Sequence, residues 1–117
     1  MDIRRWPGGA TGRNRTVAWN GMVWTVATAA AVEGFVPQVE ACLALLDRSL
    51  ADAGSSRSRM LSVTVYLQDM GEKAAFDRMW DAWIGPDPQG WPQRACVGAK
   101  LAGGCLVEIV VFAAGAA

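Results

Sequence analysis

The stretch "PQRACVGAKLAGGCLVEIVVFAA", Pro92 to Ala114, holds two β-rich runs around Ala102-Gly103-Gly104 and sets one arginine and one glutamate into otherwise apolar strands. Apolar and β-branched residues on both sides of a glycine turn predict a hairpin near the end of the chain. Arg94 and Cys96 are two apart and share a face, while Glu108 lies on the face opposite Val107 and Ile109. If a three-residue loop pairs Leu101 with Cys105, Gly98 sits opposite Glu108 and both charges come to one side; a two-residue loop separates them. Two readings of the charges stand side by side. One is a structural Arg-Glu pair at a subunit interface. In the other, the planar guanidinium of Arg94 grips a substrate carboxylate while Glu108 holds or deprotonates a water.

Upstream, "RTVAWNGMVWTVATAA" carries two strands separated by Asn20-Gly21, the dipeptide suited to a type I′ turn. Phe35, Val39, Cys42, Leu43, Leu46 and Leu50 then fall at spacings of three and four, with Pro37 near the start and Gly54 past the end, so an amphipathic helix follows. "MLSVTVYLQ" alternates, with Leu61, Val63, Val65 and Leu67 on one face and Ser62, Thr64, Tyr66 and Gln68 on the other. Asp69 and Glu72 resemble a capping box ahead of a second helical stripe, Phe76, Met79, Trp80 and Trp83, which reads as core. Residues 1–15, rich in arginine and glycine, are expected to form an irregular arm.

The resulting order, β-β-α-β-α-β-β, predicts an α+β fold with one mostly antiparallel sheet and both helices on one face. Val63, Val65, Val97, Val107, Ile109 and Val111 are expected to face the helices. Tyr66, Ser62, Thr64, Arg94 and Cys96, with Glu108 in the same-side register, are expected on the other face, which a single subunit has nothing left to cover.

At 117 residues the chain has the size of one domain. Its 52% hydrophobic content argues against disorder. Eleven basic residues balance eleven acidic ones, so no nucleic-acid footprint stands out. The absence of histidine removes the commonest general base and metal ligand, and any Ser-His-Asp triad. Cys42, Cys96 and Cys105 show neither zinc spacing nor an even disulfide set, and Cys96 has no histidine to activate it as a nucleophile. No run reaches membrane-spanning length and no signal-peptide pattern opens the chain, so a soluble, unexported protein is expected, and the cysteine usage suits the reducing cytoplasm.

"RMLSVTVYLQDM", "FDRMWDAWI" and the Pro92–Ala114 stretch, in this order, resemble the Rid (reactive intermediate deaminase, YjgF-like) family, whose pattern includes "P-x-R-x-C-V" and "V-E-I". The likeness spans roughly residues 16–114. It implies a chorismate-mutase-like subunit, a homotrimer with sites between subunits, and hydrolysis of 2-imino or 2-enamino acids to a keto acid and ammonia with no metal or organic cofactor. A non-catalytic carboxylate-binding or partner-binding trimer is the alternative. By position, the resemblance makes Arg94 the carboxylate ligand, Glu108 the residue holding water, and Cys96 a site-lining residue. Tyr66 and Trp91 are further candidates for the wall. Where active members read "T-S-G-Q", this chain reads Thr25-Val26-Ala27-Thr28, so Val26 takes the serine position and Ala27 that of the glycine.

Overall fold

In the computed structural model, which describes residues 2–115, six strands form one mixed sheet. They are β1 (Arg4–Pro7), β2 (Asn14–Trp19), β3 (Met22–Thr28), β4 (Met60–Leu67), β5 (Gln93–Gly98) and β6 (Val107–Ala114), with α1 (Phe35–Asp52) between β3 and β4 and α2 (Lys73–Ile84) between β4 and β5. The spatial order is β1-β2-β3-β6-β4-β5, and every pairing is antiparallel except that of β4 with β5. Both helices cover one face, as the α+β pattern predicts, and Val39, Cys42, Leu46 and Leu50 of α1 are buried with Phe76 and Trp80 of α2. At the β2-β3 turn Asn20 and Gly21 both have positive φ, 54° and 75°, as a type I′ turn requires.

Three expectations need correction. Residues 4–7 are not an irregular arm: β1 pairs with β2, Trp6 packs on the core, and the Arg4 guanidinium sits 5.1 Å from the Trp6 ring centroid. Backbone pairing along an edge needs no apolar stripe, and arginines at a sheet edge discourage further strands from adding. Next, Asp69 caps a short 3-10 turn through Gly71 N–H at 2.8 Å, and α2 proper begins only at Lys73.

The third correction concerns the opening stretch. β5 and β6 are not a hairpin. β5 lies parallel to β4, reached through the α2 crossover, and β6 runs between β3 and β4. Burial explains the choice. β6, apolar at nearly every position, takes the middle of the sheet, and β5, with Gln93 and Arg94, takes the edge. The connecting segment, residues 99–106, is strapped to α1 by the buried Gln38. Its Nε2–H group donates to Val32 O and Gly104 O, both at 3.0 Å, and its Oε1 accepts from Leu106 N–H at 2.8 Å.

Register then assigns the faces. Thr25, Val111, Val63 and Arg94 form one row on the helix side, and Ala27, Ile109, Val65 and Cys96 form another. Thr28, Glu108, Tyr66 and Val97 form a row on the open side. Arg94 and Cys96 therefore face the helices and Val97 faces out, the reverse of what a β5-β6 hairpin predicts.

Candidate functional site

Arg94 begins on an edge strand, yet its side chain points inward over α2, because its register partner is Val63 of the buried face. Its guanidinium lies 5.5 Å from the ring centroids of both Phe76 and Trp80. Aromatic faces hold the cation without using up its hydrogen-bond donors. One donor is spent: Nη2–H bonds Asp77 Oδ1 at 2.6 Å. The other carboxylate oxygen of Asp77 accepts from Lys73 Nζ, also at 2.6 Å, one helical turn back. That bond from Lys73, opposed by burial and reinforced by Arg94, holds Asp77 below the usual carboxylate range. Nη1 of Arg94 is buried and has no hydrogen-bond partner among the described residues. A buried charged donor left unpaired is costly, and an arriving acceptor recovers that cost.

Beside this guanidinium opens a cavity of about 580 Å³, walled by Trp80, Ile84, Pro86, Trp91 and Pro92 and floored by Arg94. The loop that carries Trp91 leaves α2 at Gly85, where φ is 85°, a conformation that glycine adopts without strain. Asp87 Oδ1 then accepts from Gln89 N–H at 3.0 Å to start a 3-10 turn at Pro88. Trp91 Nε1–H closes the loop onto Gly85 O at 2.8 Å.

The remaining sequence candidates fall into two other places. Cys96 is next to Arg94 on the helix side, half-buried against the core; burial raises its thiol pKa more than the nearby Arg94 charge lowers it, so the neutral thiol prevails. Ala27 is fully buried on that side and presents nothing to solvent. Glu108, Tyr66 and Val26 lie on the open face, Val26 in a shallow hollow of about 280 Å³ with Trp24, Thr64, Val110 and Phe112. Glu108 forms no ion pair among the described residues, and Arg94 takes Asp77 as its carboxylate instead. Counting register, Glu108 is two strands and three residues from Arg94, about 10 Å across and about 10 Å along, on the opposite face. No small molecule touches both within one chain.

Sequence reasoning missed Asp77 and Lys73. Their spacing of four on α2 was visible, but only the packing of α2 over β5 points Asp77 at Arg94. Elsewhere Arg57 grips Asp47 through two nitrogens, at 2.6 and 3.1 Å, over the Trp83 ring, and ties the two helices together.

The family described as "Endoribonuclease L-PSP" matches residues 4–115. A member of the YjgF protein family from Neisseria meningitidis superposes with a TM-score of 0.89 at 34% identity, covering 100% of this chain and 98% of that one. A RutC family protein of Haemophilus ducreyi is 38% identical over 78 residues, 66% of this chain and 65% of that protein. One of Haemophilus influenzae is 40% identical over 77 residues, again 65% of each. The matched region thus spans just under two thirds of the length of these two relatives. A YjgF-family member from Mycobacterium tuberculosis shares the fold, with a TM-score of 0.83 at 20% identity over 97% of this chain and 99% of that one.

Proposed function

The chain belongs to the endoribonuclease L-PSP family, the YjgF or Rid family, and on that premise we propose that it hydrolyses small 2-imino or 2-enamino acids in clefts between the subunits of a homotrimer. The observation that carries this reading is Arg94, whose side chain lines a cavity and whose Nη1 is a buried cationic donor with no hydrogen-bond partner among the described residues. The substrate carboxylate accepts from it, which fixes the acid and withdraws electrons from the neighbouring C=N carbon. Water adds at that carbon: a C–O bond forms as the C=N π-bond breaks, and Glu108 takes a proton from the water and passes it to the nitrogen. The carbinolamine then collapses. Its C–N bond breaks, the hydroxyl proton passes to the leaving nitrogen, and one 2-oxo acid and one ammonia result from one imine and one water. Tyr66, in register beside Glu108 on the open face, lines the water's side of the cleft.

Because Arg94 and Glu108 occupy opposite faces of their own sheet, the cleft combines Arg94 of one chain with Glu108 of the next. In a three-fold ring the same heterologous contact repeats three times. The cytoplasm is the compartment this chemistry suits, since the three cysteines are all free thiols there.

Ammonia and 2-oxo acid release from freshly generated 2-imino acids tests the reading. Wild type is expected to exceed the spontaneous rate, and Arg94→Ala and Glu108→Ala each to lose about 100-fold or more. Co-refolding equal amounts of the two inactive variants is expected to restore about a quarter of the wild-type activity, the fraction of randomly assembled clefts with both groups intact. No acceleration by wild type across a panel of imino acids overturns the catalytic reading, and no recovery on mixing overturns the two-chain site.

A second reading has its own observation. Val26 and Ala27 replace the hydroxyl and glycine of the family pattern, and Ala27 is buried, so the protein could retain the carboxylate clamp as a binding module without the chemistry. Carboxylate binding without product then distinguishes it. RNA cleavage, which the family's description names, fits this chain poorly: it has no histidine and a formal net charge of +0.

A further inference from the structure

We infer that the Arg94 cavity selects acids with a large, flat apolar side chain, an aromatic 2-oxo or 2-imino acid above all, and that Trp91 is the residue that sets this preference. The inference rests on Arg94 as the carboxylate ligand and goes beyond it, because a carboxylate clamp alone is indifferent to what the acid carries.

A three-carbon acid needs little beyond the guanidinium, yet the space next to it is about 580 Å³ and is walled by Trp80, Ile84, Pro86, Trp91 and Pro92. That volume is in the range of sites for drug-sized ligands. Trp91 is 50% exposed, unusual for so large an apolar side chain. Its only polar atom is already satisfied, since Nε1–H donates to Gly85 O at 2.8 Å. What remains for a ligand is an apolar π-face, suited to stacking and to nothing else. The face is also held in advance. Pro86, Pro88 and Pro92 restrict the backbone of the loop, and the Asp87 turn and the Trp91–Gly85 bond close it, so little conformational entropy remains to be lost on binding. Arg94 completes the pattern: a single cationic donor at one end and an apolar slot at the other match an acid with its charge and its ring at opposite ends.

The test is equilibrium binding by calorimetry of phenylpyruvate and pyruvate, both stable 2-oxo acids, to the full chain and to Trp91→Ala, Trp91→Phe and Arg94→Ala. Phenylpyruvate is expected to bind wild type at least tenfold more tightly than pyruvate. Trp91→Ala reduces that ratio to below threefold, and Trp91→Phe, which keeps a π-face, restores most of it. Arg94→Ala weakens both acids by tenfold or more. Equal affinity of wild type for the two acids, or a preference that survives Trp91→Ala, overturns the selectivity while leaving the clamp standing. Affinities unchanged by Arg94→Ala, or no binding of either acid to wild type, overturn the clamp and the selectivity with it. The wild-type ratio is decisive even if a Trp91 variant does not fold.

Discussion

At the scale of single residues, Asp77 determines how Arg94 is presented. It takes one guanidinium nitrogen and leaves the other buried without a partner among the described residues, so the guanidinium is already oriented within the chain. The carboxylate is itself held ionised by Lys73 and Arg94, below the usual range. A depressed pKa means that the ionised form stabilises the fold above the unfolded value near 3.9, and that this contribution is lost as pH falls through the lower folded value. Asp77 is partly exposed, which keeps the effect modest. Asp77→Asn is therefore expected to lower the urea midpoint at pH 7 and to match wild type more closely at pH 3, with titration series of both proteins as the check. A constant gap at every pH would mean that packing, not charge, is what the substitution removes. Cys42, by contrast, carries no such role: burial pushes its thiol up to about 12, and the residue is core.

Among elements, the decisive one is the connection between β5 and β6. Its glycines read as a hairpin turn, but its length lets β6 pass across β4 and settle beside β3, with Gln38 of α1 holding the crossing in place. Gln38 is 2% exposed and satisfies three backbone groups of otherwise irregular chain. Truncation to alanine removes all three bonds, and a loss of about 2 kcal/mol is expected in chemical denaturation. Because the same loop leads directly into Glu108, Gln38→Ala is also expected to lower turnover more than substrate binding. A loss below about 0.5 kcal/mol would show that water replaces the glutamine without cost.

At the scale of the whole molecule, the open face of the sheet is the outstanding feature. Trp24 and Val110 are exposed there, and Trp24 packs against Phe112 with ring centroids 5.3 Å apart. Monomers seldom leave contiguous apolar surface of this kind in water. Among the described residues no helix is long and apolar enough to cross a membrane. A second and third copy are the proposed cover, and the same proposal brings the Glu108 of one chain towards the Arg94 of the next. Sedimentation is expected to give wild type three times the chain mass of 12.5 kDa, and Val110→Arg a monomer that has lost deaminase activity. A monomeric wild type with full activity would remove both the trimer and the shared cleft.

Several features were legible in the amino-acid sequence because they depend on local physics. The apolar spacing of α1 and α2, the alternation along β4 from Ser62 to Leu67 and the Asn20-Gly21 turn each follow from one stretch of chain. Leu61, expected on the buried face, is instead exposed at a register shift. The family pattern also drew attention to Arg94, Cys96 and Glu108 before any of them had a position. Which strand pairs with which was not legible there. An alternating strand fits any partner of matching face, so the sequence near Gly103 permits a hairpin as readily as a crossover. Competition for the buried centre of the sheet decided that question in favour of β6. With it came the face of Arg94, its ion pair with Asp77, the cavity under Trp91 and the separation of Arg94 from Glu108, all consequences of long-range packing rather than of any neighbouring residue.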